Sequence, residues 1–314
     1  MVVGQIVFCP SKTGSASICR AWARISKKPT IHTHTLRYLV VTDIKDSLFL
    51  KYIEKNFKKN LSYVFPLDED HVEFTVREGP FNNLKQIFEY FDSFKIVTSI
   101  RDPLSRNISQ FMQDLTVDQI NAAIDGIFSR NAEVVPKLDP KKVPTIGEVC
   151  HTLKLIEGKH FCVLLKNASV YMQKNKTLLT LDQICKLFQK SFVENDIKEY
   201  SVFFSHMSRF VIPDFDFEEV KSSGHSKQVY TIFGKRTEHE LFKLEDLSKP
   251  HVFKILTEFT GIKELGRDHS ASDCHHLFIQ PTAVVKKHIL EKFKNVQLSE
   301  KGSLEDSIAK GFGY

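Results

Sequence analysis

The sequence predicts an α/β fold in which a mainly parallel central sheet is flanked by helices in three layers. Short apolar runs of strand length alternate with helix-like segments, as in parallel sheets that are covered by helices. The 314 residues suffice for one large α/β domain or two ordinary ones. A hydrophobic content of 42% with 26% charged residues is typical of a packed globular core.

The first part of the chain supplies three predicted strands. The first spans about residues 5–8 and is followed by a helix over about 15–25. The second spans residues 30–36. The third, FKIVTSI at residues 94–100, is the clearest buried strand in the sequence. Pro103 suits the first turn of the helix that follows it. DSLFLKYIEKNF and NLKQIFEYF have the periodicity of helices.

The second part of the chain is predicted to be mostly helical at first. A single domain over residues 1–300 is expected, with a helical acceptor-side region over about 117–200 and a C-terminal tail at 301–314. The polar, proline-containing stretch 130–145 is interpreted as a loop. Further elements are predicted from their patterns: strands at QVYTIF (228–233) and HELFKLEDL (239–247), and helices at HVFKILTEFT and TAVVKKHILEKF.

Charge and cysteine content narrow the function classes. The formal charge of +6 and the pI near 8.8 suit an anionic ligand but fall short of the clustered basic surface of a nucleic-acid-binding protein. Six cysteines without a CxxC pair are interpreted as reduced, buried thiols. Without a signal-peptide pattern or an apolar run of transmembrane length, we expect a cytoplasmic protein. Its oligomeric state is left open.

The segment QIVFCPSKTGSASICRAW, residues 5–22, is interpreted as strand, anion-binding loop and helix. Gly14 lets the backbone approach a ligand closely, and the helix N-terminus directs its N–H groups there. Lys12 adds a full charge, and Ser15 and Ser17 offer hydroxyl groups. The loop lacks the GxxxxGK[ST] order of nucleoside triphosphatases, since its lysine precedes the glycine. An ordinary turn is the alternative interpretation.

A second loop, TSIRDPLSRNIS, also follows a buried strand and begins a helix. Arg101 stands at the strand end, and Ser109 lies eight residues later. Arginine suits forked recognition of phosphate oxygens. Because the carboxyl ends of parallel strands share one edge, both loops are expected to face the same ligand. Two separated anion sites predict a ligand with two phosphate-like ends.

The pair PSKTGSAS and RDPLSRNIS resembles the two nucleotide-binding motifs of sulfotransferases that use 3′-phosphoadenosine-5′-phosphosulfate (PAPS). In that family a P-K-T-G-T-T-S loop holds the 5′-phosphosulfate, and R-[DN]-P with a serine at plus eight holds the 3′-phosphate. The resemblance implies a P-loop-type fold and PAPS as co-substrate. Two departures are Ser11, between Pro10 and Lys12, and Ala16, which replaces a hydroxyl residue. The matching residues are Lys12, Thr13, Gly14, Ser17, Arg101, Pro103 and Ser109.

More narrowly, the chain resembles the bacterial capsular polysaccharide synthesis family with a sulfotransferase-like fold. RDPLSRNISQFMQ is similar to that family's R-D-P-x-x-R-N-I-S-x-F-F-Q, and QVYTIFGKRTEHELFKLEDL to its later strand pair. The similarity covers about residues 5–40 and 90–295. It implies a carbohydrate or glycolipid acceptor and a role in capsule or surface polysaccharide synthesis. The reaction would transfer a sulfuryl group to a hydroxyl or an amine.

Catalysis of sulfuryl transfer depends on positioning and on cationic stabilisation of charge, so no metal is required. Lys12 is the candidate for stabilising that charge. The segment IHTHTL places His32 and His34 on one face of a strand, near its carboxyl end. His34 is the preferred general base and His32 the second choice. The alternative is a pair of partly buried structural histidines.

Other patterns are assigned to ordinary structure. DHSASDCHHLF, residues 268–278, could supply metal ligands but lacks zinc-site spacing, so a polar loop is expected. In LEDL, Glu245 and Asp246 are interpreted as the cap of a strand and the start of a helix, with a Mg²⁺-binding strand end as the alternative. Two other functions are kept: a P-loop-type kinase or nucleotide hydrolase, and an inactive nucleotide- or glycan-binding protein. Turnover with PAPS or a Mg²⁺ requirement would distinguish them.

Overall fold

The structure, a computed structural model, describes residues 2–10, 12–34, 38–77, 82–114, 178–189, 217–266 and 281–295. An eight-stranded sheet is its main element. The strands are β1 (Val3–Phe8), β2 (Thr30–Thr33), β3 (Tyr38–Ile44), β4 (Leu61–Pro66), β5 (His71–Arg77), β6 (Ser93–Ile100), β7 (His225–Ile232) and β8 (Lys235–Lys243).

The helices of the described part follow the strands along the chain. They are α1 (Ser15–Ser26), α2 (Leu48–Phe57), α3 (Asn82–Glu89), α4 (Pro103–Asp114), α5 (Leu181–Phe188), α6 (Phe217–Ser223), α7 (Pro250–Thr260) and α8 (Thr282–Phe293), with a 3₁₀ helix at Leu244–Ser248. The helices predicted after the first and third strands are confirmed, as are those at HVFKILTEFT and TAVVKKHILEKF.

Strand order in the sheet is β4-β5-β3-β2-β1-β6-β8-β7. The four central strands β2, β1, β6 and β8 run parallel to one another. The outer strands, which are β3, β5 and β4 at one end of the sheet and β7 at the other, are antiparallel to the strands beside them. The prediction of a parallel sheet therefore holds at the centre, where the predicted strands 5–8, 30–36 and 94–100 correspond to β1, β2 and β6. The sheet as a whole is mixed, because β3, β4, β5 and β7 pair in antiparallel fashion. Of these strands, β3, β4 and β5 were not predicted, and β7 forms a hairpin with β8.

Alternate residues of the central strands face two separate apolar cores. On β1, Ile6 and Phe8 enter a core that also contains residues of α2 and α3. Val7 enters the opposite core, which contains Trp22 of α1 and Phe259 of α7. Helices thus pack on both faces of the sheet. This agrees with the apolar sequence of the central strands, since strands that are buried on both faces are apolar throughout. Trp22, which is only 1% exposed, belongs to the core as expected.

The chain divides into two compact units: residues 1–102, 199–268 and 299–314 form the first, and 103–198 with 269–298 the second. The sheet belongs to the first unit. In the second, the ring of Phe188 lies 5.3 Å from both Phe111 and Phe293, so α4, α5 and α8 share an apolar contact. The single domain over 1–300 stays a prediction. The loop at 130–145 and most of the helical region 117–200 lie outside the described residues.

Candidate anion-binding site

Four strand ends meet at one edge of the first unit. Because β2, β1, β6 and β8 are parallel, the segments that follow them all leave from the same edge. Those segments carry His34, the loop from Cys9 to Gly14, Arg101 and the 3₁₀ helix. Ligands of open α/β sheets bind at such carboxyl edges. The prediction that both basic loops lie on one edge is therefore confirmed.

The backbone of the first loop has the left-handed conformation at two positions. Lys12 has φ 63° and Gly14 has φ 75°. Gly14 is the N-cap residue of α1 and gives it no side-chain cap, and no acidic residue lies in the first turn of the helix. The N–H groups that begin a helix have no intrahelical acceptor and carry partial positive charge. The loop therefore offers an anion the first N–H groups of α1, and Lys12 lies in the same loop.

Hydrogen bonds inside the protein fix the shape of this loop. The hydroxyl of Thr13, which is fully buried, donates to the Pro10 carbonyl at 2.7 Å. The Ser99 hydroxyl on β6 donates to the Thr13 carbonyl at 2.6 Å. Thr13 was predicted to bind the nucleotide, but its hydroxyl is used within the loop. Its side chain thus supports the loop conformation rather than facing a ligand.

Cys9 contributes to the same anchor. Its Sγ accepts the N–H of Ser99 at 3.1 Å. Burial raises the pKa of the Cys9 thiol to about 11, so the sulfur is a neutral thiol at pH 7 and poorly nucleophilic. With Cys19 and Cys185, it is one of the free, buried cysteines of the described residues, as the sequence predicts for all three. The other three cysteines lie outside the described residues.

The two histidines lie side by side against the loop, as the sequence predicted. Their rings are 4.5 Å apart, edge to face. His34 Nδ1 lies 2.7 Å from the Cys9 carbonyl. Since a carbonyl only accepts, Nδ1 donates, and in the neutral imidazole Nε2 carries the lone pair. His32 Nε2 lies 2.8 Å from Ser15 Oγ. Burial, and then the nearby His34 and Arg20, hold the pKa of His32 well below its ordinary value, so His32 is neutral.

Arg101 joins the second loop to the first. Its Nη1 donates to the Lys12 carbonyl at 3.3 Å. A third strand end adds a carboxylate: Glu245 Oε1 lies 3.9 Å from Arg101 Nε and accepts the Asp102 N–H at 3.1 Å. Glu245 belongs to the predicted LEDL segment, which forms the 3₁₀ helix after β8 as the capping interpretation expected. Its contact with Arg101 was not predicted.

A chain of hydrogen bonds reaches the loop from the far edge of the sheet. The Thr98 hydroxyl donates to the Phe8 carbonyl at 2.6 Å, so it accepts from His239 Nε2 at 2.8 Å. His239 Nδ1 then accepts the Tyr230 hydroxyl at 3.0 Å. Burial lowers the pKa of His239 to about 3, which keeps the ring neutral. This chain fixes the last residue of β1, directly before the loop.

Two predicted residues have looser support. Ser17 lies in the first turn of α1 and is half-buried, next to the helix N–H groups. Ser109 lies in α4 and belongs to the second unit, so its pairing with Arg101 on one phosphate stays a prediction. The histidine-rich segment 268–278 lies outside the described residues. Within the described ranges, no group of three acidic, cysteine or histidine side chains could hold a metal ion.

Comparisons with protein-family models, with curated proteins and with solved structures found no match for this chain. Among the described helices, none has the length and apolar character needed to cross a membrane. The site must therefore be interpreted from its own residues, which combine a lysine, an arginine, a helix N-terminus and a neutral histidine at one sheet edge.

Proposed function

We propose that the protein is a sulfotransferase, with a P-loop-type fold, that transfers a sulfuryl group from PAPS to a carbohydrate or glycolipid acceptor in the cytoplasm. The observation that carries the proposal is the contact of Arg101 Nη1 with the Lys12 carbonyl. It puts two basic loops side by side at a parallel sheet edge, as a ligand with two anionic ends requires. PAPS is proposed as that ligand because both loops resemble PAPS-binding motifs.

The contacts of the Glu245 carboxylate support the proposal that Arg101 and the Asp102 N–H can bind a phosphate group. One oxygen of that carboxylate accepts the backbone N–H of Asp102 and lies within 3.9 Å of the Arg101 guanidinium. An arginine and a backbone N–H that face one anionic oxygen make the arrangement that binds phosphate in proteins. We assign the 3′-phosphate to Arg101, and the 5′-phosphosulfate to Lys12, Gly14 and Ser17. Ser15 is assigned to the 5′ end through its backbone N–H, because its hydroxyl is buried 2.8 Å from His32 Nε2.

In the proposed reaction an acceptor hydroxyl attacks the sulfur, and the bond between sulfur and the bridging phosphate oxygen breaks. Adenosine 3′,5′-bisphosphate leaves with the bridging electron pair. Lys12 stabilises the negative charge that develops on the departing oxygen. His34 takes the acceptor proton on Nε2, because its Nδ1–H is held by the Cys9 carbonyl. His32 keeps that ring in place through their edge-to-face contact and stays neutral.

Ligand binding tests the nucleotide part of the proposal without knowledge of the acceptor. Adenosine 3′,5′-bisphosphate should raise the melting temperature more than ATP or GTP does. Arg101→Ala should weaken the bisphosphate by about one to two powers of ten, as the loss of a charge-assisted contact does. Binding of adenosine 5′-phosphate should hardly change. Preference for ATP with Mg²⁺ would favour the kinase or hydrolase interpretation instead.

Turnover tests the catalytic part. With PAPS and an array of carbohydrate acceptors, His34→Ala should lower turnover by about 10² to 10⁴ and leave nucleotide affinity nearly unchanged. His251→Ala, on the exposed part of α7, is a matched control and should keep full activity. Equal turnover of both variants would mean that His34 is a structural residue and not the general base. Bisphosphate binding without any transfer would favour an inactive binding protein.

A further inference from the structure

The contacts around Arg101 include a negative charge that a phosphate site does not need. Glu245 comes from the end of β8, and its side chain is 36% exposed beside Arg101, which is 29% exposed. Its Oε1 faces both the guanidinium and the Asp102 N–H. Both donors belong to the segment that we assign to the 3′-phosphate. A phosphate at this position and the Glu245 carboxylate would compete for the same donors and repel each other.

We propose that Glu245 is a specificity-determining residue: its carboxylate occupies the anion position of Arg101 and Asp102 N until a ligand phosphate displaces it. The inference rests on the proposed function, since it concerns the same nucleotide site. A phosphate dianion carries enough charge to replace a carboxylate at these donors. A ribose hydroxyl does not, so nucleotides without a 3′-phosphate leave Glu245 in place.

The geometry indicates that Arg101 keeps its position when the carboxylate leaves. Its Nη1 donates to the Lys12 carbonyl at 3.3 Å, on the loop rather than on the 3₁₀ helix. The 3₁₀ helix also has anchors that do not depend on Glu245. Leu247 is buried in the core that contains Trp22, and Asp246 forms an ion pair of 2.8 Å with Lys249. The Glu245 side chain can therefore move without disturbing the backbone that carries it.

Glu245→Gln separates charge from hydrogen bonding, because the amide oxygen of glutamine can still accept the Asp102 N–H. The charge that repels a bound phosphate is lost, while the size and shape of the side chain are kept. Two charges about 4 Å apart near a protein surface interact strongly enough for changes of tenfold or more in affinity. The variant should therefore bind a 3′-phosphate more tightly than the wild-type protein does.

The experiment is calorimetric titration of the full-length wild type, Glu245→Gln and Glu238→Gln with adenosine 3′,5′-bisphosphate and with adenosine 5′-phosphate. We expect Glu245→Gln to bind the bisphosphate about tenfold more tightly, and the 5′-phosphate within about twofold of the wild type. Glu238→Gln removes the same charge in the first half of β8, away from the strand end, and should match the wild type with both ligands.

Each other outcome overturns a defined step. Weaker or unchanged bisphosphate binding by Glu245→Gln would mean that the carboxylate does not compete with the ligand for Arg101. An equal gain for both nucleotides, or an equal gain in Glu238→Gln, would mean a general charge effect. Either result contradicts the inference and leaves the proposed function standing. If none of the three proteins binds the bisphosphate, the proposed function fails, and the inference fails with it.

Discussion

Glu240 on β8 should make the folded protein lose stability as the pH rises. Glu240 is 3% exposed, and its Oε2 has no hydrogen-bond partner within the part of the chain that the structure describes. Lys227 Nζ lies 3.6 Å from the other oxygen, Oε1. Burial raises the pKa of Glu240 from 4.5 to about 7 against the opposing effect of Lys227. The carboxyl group is thus far easier to protonate in the folded than in the unfolded protein.

The sign and the size follow from that difference. A group whose pKa is raised on folding stabilises the folded state below its unfolded pKa and loses that contribution as the pH rises through the folded pKa. The shift from 4.5 to about 7 corresponds to about 3 kcal/mol. The glutamine of Glu240→Gln does not titrate. The free energy of unfolding of the variant minus that of the wild type should therefore rise by about 3 kcal/mol between pH 4.5 and 8.

Urea unfolding at several pH values, followed by the fluorescence of the single tryptophan, measures this difference. Trp22 is buried in the first unit, which also contains Glu240. The matched control is Glu238→Gln, because Lys227 Nζ lies 3.6 Å from the Glu238 carboxylate as well. Glu238 is 27% exposed, so its removal should change stability by less than about 1 kcal/mol at any pH.

The difference between variant and wild type is the quantity to measure, because His239 titrates in the opposite direction. Its pKa is lowered from 6.5 to about 3, so its contribution to stability is lost as the pH falls below 6.5. Both proteins contain His239, and its effect cancels in the difference. A difference that stays flat from pH 4.5 to 8 would refute the assignment of a raised pKa to Glu240.

Three further predictions concern the residues that shape the loop. Tyr230→Phe should cost about 1 to 3 kcal/mol in urea unfolding, since His239 Nδ1 is left buried without its donor; a loss below about 0.5 kcal/mol would contradict the hydrogen-bond chain. Ser99→Ala should cost about 1 to 2 kcal/mol, measured in the same way, because the Thr13 carbonyl loses a donor; full stability would show that water replaces it. Gly14→Ala should lower bisphosphate affinity, since φ is 75° and a Cβ would lie 3.0 Å from Leu244 Cδ1; unchanged calorimetric affinity would show that the loop tolerates a side chain there.

The central part of the fold could be predicted from the sequence because its signals are local. β1 and β6 are short apolar runs that end in polar loops, and residues such as Val7 and Val97 on them are fully buried. Such strands need no knowledge of their partners to be recognised. The antiparallel strands β3, β4 and β5 were missed, although HVEFTVR in β5 alternates: Val72, Phe74 and Val76 are buried. Period-two alternation was the signal that could have found it.

The start of β8 was placed four residues too late for a similar reason. Phe233 and Gly234 both have positive φ, at 48° and 75°, which makes the tight two-residue turn of a β-hairpin. The strand therefore resumes at Lys235, directly after the glycine. A phenylalanine with this left-handed backbone conformation is unusual, because residues other than glycine and asparagine rarely adopt it. The sequence FG therefore gives a weaker turn signal than NG or DG would.

The candidate site divides in the same way between local and distant contributions. Lys12, Gly14 and Arg101 stand in loops whose spacing can be recognised in the sequence. Glu245 meets the second loop across 143 residues, through the Asp102 N–H. Only the pairing of β6 with β8 brings the two strand ends together, and pairing partners cannot be deduced from either segment alone. The basic residues of the loops predict an anionic ligand from local sequence, whereas the proposed role of the Glu245 carboxylate depends on this distant pairing.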